Sequence, residues 1–148
     1  MKFKTGIVAM SMLLNACAAT APSSNTSGAP DSGNPDLACL LPSNCVNSRG
    51  TGDLPPLRYT GTAAQALDLL HATVATFPEA RVVRAEPLAL ALIFTTPVGF
   101  RDQVDFRIDA QAQRIDFRSR SLFGLFDFGK NRSRMREFIA RYEQRGQR

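Results

Sequence analysis

The run RSRSLFGLFDFGKNRSR, residues 118–134, holds most of the side chains that could carry chemistry. Arg118 and Arg132 could meet an anion, Ser119 and Ser121 offer hydroxyls, Asn131 an amide and Asp127 a carboxylate. Asp102 supplies a second carboxylate from an earlier segment. Three readings fit these types. Arg132 beside the amides of a helix N-terminus would receive a carboxylate or phosphate. Asp102 and Asp127 across one substrate atom would be the acid and base of a small hydrolase, although their spacing matches no catalytic motif. Alternatively the polar groups satisfy one another: Asp102 or Asp127 pairs with Arg132, Asn131 caps a helix, and the serines close strand ends. The last reading is preferred, because a buried charge needs a partner and one is at hand within the chain. His71, the only histidine, has no serine or cysteine nucleophile in a plausible motif beside it. A partly buried helix histidine suits it better than a catalytic base.

The elements that must position these groups follow from periodicity. Residues 62–77 place Ala63, Ala66, Leu67, Leu70, Val74 and Phe77 on one helical stripe, with Thr62 and Gln65 spaced as a capping box and Pro78 closing the segment. Four strands are expected over 80–85, 88–95, 103–109 and 114–122. The second alternates Leu88, Leu90, Leu92 and Phe94 with Ala89, Ala91 and Ile93, so both of its faces are expected to be covered. In the last two, one register satisfies both faces. Asp109 then faces Arg114, Arg107 faces Asp116, Asp105 faces Arg118 and Gln103 faces Arg120, while Ile108 meets Ile115 and Phe106 meets Phe117. That register also brings Asp102 near Ser121. Residues 131–144 form a second amphipathic helix with Met135, Phe138, Ile139 and Tyr142 buried, Asn131 as its N-cap, and Gly124 and Gly129 supplying turns before it. The expectation is an α+β domain: an antiparallel four-stranded meander with two helices packed on it, in the order helix, four strands, helix.

The N-terminus decides the compartment. Lys2 and Lys4 precede an apolar core from Ile7 to Leu14, too short to span a bilayer and typical of a secretory signal. Leu14-Asn15-Ala16-Cys17 resembles the lipobox of bacterial lipoproteins, although Asn15 is uncommon at its position. The resemblance implies cleavage before Cys17 and a diacylglyceryl thioether on that cysteine. Ala18, rather than Asp, after the cysteine implies delivery to the outer membrane. Residues 17–36 are rich in Ala, Pro, Ser, Gly and Asn and read as a flexible lipid-anchored tether, about 25 Å across as a coil. Residues 1–16 are thus expected to be a signal, 17–36 a tether, and 37–148 one domain. Cys39 and Cys45 remain as an even pair around a turn carrying Pro42 and Asn44, and in an oxidising envelope a disulfide is the expected outcome. One histidine and no further cysteine leave no metal site, and no cofactor is expected.

Charge narrows the partners. Removing Lys2 and Lys4 leaves 16 basic against 13 acidic side chains, a balance of +3. From Arg118 to Arg148 nine basic residues face three acids. Export and the lack of any recognisable motif argue against nucleic acid. Anionic lipid or lipopolysaccharide within reach of the tether would be attracted, and a solvated helix face is the bland alternative.

The chain from about Asn44 to the last helix also resembles the bacterial and plastid family called domain of unknown function 1499. PSNCVNS keeps that family's Asn44, Cys45, Val46 and Ser48, and DQVDF keeps Asp102, Val104 and Phe106. The hallmark run is matched at Arg118, Ser119, Ser121, Gly124, Asp127, Gly129, Asn131 and Arg132, with Arg120 and Leu122 departing from it. The resemblance implies a fold and no reaction. The expected protein is an exported, lipid-anchored envelope module that binds rather than catalyses, with its protein partners unspecified; the alternatives are a small hydrolase using Asp102 and Asp127 or a purely structural envelope component.

Overall fold

A computed structural model describes residues 37–49 and 53–148. The expected signal, Cys17 and the tether lie outside the described residues. The elements are β1 (Cys45–Asn47), β2 (Leu57–Arg58), α1 (Ala63–Val74), β3 (Ala80–Glu86), β4 (Ala89–Thr95), β5 (Arg101–Asp109), β6 (Arg114–Ser121) and α2 (Lys130–Gly146). One antiparallel sheet runs β1-β6-β5-β4-β3, and β2 also pairs with β6. The α+β class and the β3–β6 meander are present. The expectation of four strands in the order helix, strands, helix is corrected by β1 and β2, which precede α1 and line the outer edge of β6. At three and two residues they are too short for alternation to register.

Thr62 and Gln65 complete the capping box of α1, each side chain bonding the other's backbone. The β5–β6 hairpin takes the expected register, from Asp109 opposite Arg114 to Asp102 opposite Ser121. Its turn is held by the Asp109 carboxylate, which accepts from the amides of Gln111 and Ala112. The inner face of the sheet (Leu90, Leu92, Phe94, Val104, Phe106, Ile108, Ile115 and Phe117) meets the stripes of both helices. Phe138 of α2 stacks on Phe77, just past α1, at 5.6 Å and meets Phe106 at a tilt at 4.9 Å, so one ring ties α2 and the segment after α1 to the sheet.

The opposite face carries charge yet is largely sealed. Asp105 and Asp116 are buried there. Arg118 bonds Asp105 at 2.8 Å and also donates to the Ala38 carbonyl, while Arg49 and Arg114 flank Asp116. Ala89 and Ala91 are buried on this face, in register between Glu86 and Arg107 and between Arg84 and Asp105. Both faces of β4 are therefore covered as expected, the second by long polar side chains lying over small ones. Leu88, assigned to this strand from its alternation, falls in the preceding turn and is exposed. Cys39 and Cys45 form the expected disulfide, closing the turn that leads into β1.

Tyr142 is buried on α2, and its hydroxyl has no hydrogen-bond partner among the described residues. Burial, with Tyr59 adding to it, pushes the phenol up to about 12 from 10.0. A raised acid of this kind contributes stability that is complete below pH 10.0 and is lost as pH climbs towards 12. Tyr142→Phe removes an unpartnered group and should leave neutral-pH stability unchanged or raise it by up to about 1 kcal/mol. Urea melts across the alkaline range should show a shallower loss of stability than in the parent chain.

Candidate functional site

The start of β5, the end of β6 and the start of α2 bring one polar cluster together on the core side of the sheet. Asp102 and Ser121 face one another in the β5–β6 ladder, and the serine hydroxyl donates to Asp102 Oδ1 at 2.6 Å. Asp102 Oδ2 accepts from Arg134 at 2.6 Å. Asn131 occupies the centre. Its Oδ1 accepts from Ser119 at 2.6 Å and from Arg134 at 3.0 Å, and its Nδ2 donates to Ser121 and to the Asn44 carbonyl. Asn44 in turn donates to the Gly124 carbonyl at 2.7 Å. Every hydrogen-bonding position of the Asn131 amide is filled, and both Asp102 oxygens are engaged. The network joins β1, β5, β6, α2 and the loop 122–128.

Asp102, Ser119, Ser121 and Asn131 meet as the register implied. Arg118 and Arg132 do not join them. Arg118 is one residue out of phase with the serines, so it projects to the opposite face and binds Asp105. Arg132 turns outward and, with Arg136, pairs with the exposed Asp53. The hydrogen bond from Arg136, with Arg132 nearby, holds the Asp53 carboxyl below its ordinary value. The alternative of an anion pocket around Arg132 is therefore not assembled from those arginines, and the expected pairing of Arg132 with Asp102 or Asp127 is corrected to Asp53.

The arginine that does enter the cluster is Arg134, which no motif in the sequence singles out. Its side chain is only 6 % exposed, and its guanidinium also lies 4.8 Å from the Phe94 ring centroid. A usable signal was present: positions 131, 134, 138 and 142 fall on one helical stripe, so Arg134 belongs with Phe138 and Tyr142 rather than with solvent.

Asn131 is also not the N-cap. The helix begins one residue earlier, behind Gly129 in a left-handed conformation at φ 78°. Asp127 satisfies the helix start instead, accepting from the Gly129 amide at 3.0 Å and from the Asn131 amide at 2.8 Å. A carboxylate suits this end of the helix dipole. Phe128, between them, is held at φ 53°, a conformation rarely adopted by a bulky side chain.

Beside the cluster opens a cavity of about 350 Å³. Val98, Phe100, Phe123, Phe126 and Phe128 give it an apolar wall, and Thr96, Asp102, Ser121, Asp127 and Lys130 are its polar side chains. His71, in the last turn of α1, is not among its residues. No group of three or more His, Cys, Asp or Glu side chains suited to a metal occurs among the described residues. Chemically the cluster is a closed network: one carboxylate is tied to an arginine and a serine, the other to a helix N-terminus.

If that network is structural, Arg134→Ala should cost about 3–5 kcal/mol, because it leaves Asp102 buried and unpaired. Arg132→Ala, at the exposed pair, should leave the urea midpoint close to that of the parent chain. Equal effects of the two substitutions would contradict this division of roles.

Comparison with known families gives a match to the one described as Protein of unknown function (DUF1499), over residues 36–141. The match takes in both β1 and the whole polar cluster. No curated protein and no solved structure matches the chain.

Proposed function

The chain belongs to that family of proteins of unknown function, and we propose an exported, lipid-anchored envelope domain acting as a non-catalytic interaction module. The observation that carries the non-catalytic part is the engagement of both candidate carboxylates. Asp102 is bound by Arg134 and Ser121, and Asp127 by two backbone amides, so neither is poised as a reacting group. Support for export comes from the Cys39–Cys45 disulfide, since such bonds persist in oxidising compartments. Support for the anchor comes from the signal-like first sixteen residues and Cys17, with Ala18 favouring the outer membrane. The net positive charge of the remainder suits contact with anionic lipid or lipopolysaccharide.

A small hydrolase is the second reading, favoured by the cavity that borders Asp102, Ser121 and Asp127. It requires turnover of some ester or phosphate that disappears in Asp127→Asn, and a screen without turnover leaves the binding role standing.

Cell fractionation tests the anchor. The parent chain should be recovered with membranes, and Cys17→Ser should release it to the soluble fraction or block its maturation. Recovery of a chain beginning at Met1, with reduced thiols, from the cytosol would overturn the proposal.

A further inference from the structure

The described residues include nine phenylalanines, and their distribution is bimodal. Phe77, Phe94, Phe106, Phe117 and Phe138 are in the core. Phe100, Phe123, Phe126 and Phe128 are 55–98 % exposed, and all line the cavity at the end of the sheet where β6 finishes. Seven of the twelve exposed large apolar side chains belong to the β4–β5 turn and the loop 122–128, and two more, Leu40 and Leu41, lie just before Ser43, which bonds that loop. Hydrogen bonds hold these segments together. The Leu122 amide donates to the Arg101 carbonyl, the Asp127 amide to the Ser43 carbonyl, and the Ser43 hydroxyl to the Leu125 carbonyl. The loop is thus pinned with its rings outward, and the left-handed Phe128 is its extreme, 98 % exposed on strained backbone.

We infer that this apolar end dips into the interfacial region of the anionic bilayer to which Cys17 tethers the domain. The inference rests on the anchored reading above and adds the surface that meets the membrane. Soluble domains rarely leave so many contiguous large apolar groups in water without a partner. Three observations select a bilayer. Lys130 and Arg101, both exposed, stand beside the rings, while the nearby acids Asp102 and Asp127 are spent on internal bonds. Exposed aromatic and aliphatic tips flanked by cations suit an anionic interface. The described chain starts close to this end: the Leu37 carbonyl accepts from Asn47, which is opposite Arg118, four residues or roughly 13 Å along β6 from Leu122. The twenty residues from Cys17 to Asp36 can cover that distance. Leu40 and Leu41, next along the chain, are exposed too and lead into Ser43, which bonds the loop.

The chain contains no tryptophan, so Phe123→Trp gives a reporter free of background. The full-length chain carrying Phe123→Trp and Cys17→Ser is mixed with vesicles of phosphatidylethanolamine and phosphatidylglycerol. The inference expects a blue shift of emission and quenching by brominated lipid, weaker with phosphatidylcholine alone. Adding Phe126→Asp and Phe128→Asp, both exposed, should abolish the shift without lowering the thermal melt. Emission that stays water-like in the presence of the vesicles, whether or not the protein floats with them, overturns the inference and says nothing against the anchor, which this chain lacks. A blue shift without vesicles that grows with protein concentration assigns the patch to a second copy and overturns it as well. Failure of the anchor is read separately, from the fractionation of Cys17→Ser.

Discussion

The buried pair between Asp102 and Arg134 is the constraint on which the rest of this end of the molecule depends. Two charges removed from water stabilise a fold only when geometry and further hydrogen bonds offset their lost hydration. Here those bonds come from Ser121 on β6 and Asn131 on α2. The pair is therefore built only when β5, β6 and α2 are simultaneously in place. Asn131 extends the requirement to β1 through the Asn44 carbonyl, and Asn44 extends it to Gly124 in the loop. A three-residue strand such as β1 contributes little ladder energy by itself; the disulfide and this amide network give it a single position.

The same economy organises the other side of the sheet. Asp105 and Asp116 are as buried as core residues, yet each has a guanidinium from the neighbouring strand within ion-pairing distance or along its own strand. Arg118 spans from Asp105 to the Ala38 carbonyl, so it closes the segment before β1 over the sheet. The hallmark run thus splits by strand parity. Ser119 and Ser121 serve the network beneath α2, whereas Arg118 serves the opposite face. A reading that gathers them into one site ignores the two-residue period of a strand.

That split marks how far the sequence was legible. The β5–β6 register was readable because apolar and charged alternation agreed over the whole hairpin, and a slip of one residue would have exposed Phe106 and Phe117 while burying Arg107. The capping box of α1 and both helical stripes were readable for the same reason: a local rule and a global burial pattern coincided. Arg132 and Arg134 were not separable by charge or by motif, since both lie in the first turns of one helix. Only their angular position differs, and Arg134 shares the stripe of Phe138 and Tyr142. The helix start was misplaced by one residue because Asp127 caps it across Phe128 and Gly129, a detour of left-handed backbone that no helical pattern announces.

The closed network and the open apolar end are physically linked. An apolar loop in water tends to fold its rings inward, and five neighbouring core phenylalanines show that the domain can house such rings. What prevents it here is that the loop's backbone is already committed: Gly124 and Leu125 accept from Asn44 and Ser43, and Asp127 clamps the helix start. These bonds hold Phe128 in a conformation that glycine or asparagine would occupy at less cost. A fold under selection for stability alone has an easy remedy at that position, a polar or small residue. The polar residues of the hallmark are accordingly better understood as the frame that keeps the rings exposed than as a site that acts on a bound molecule. Contact through that end, as proposed above, needs only that the frame stay shut.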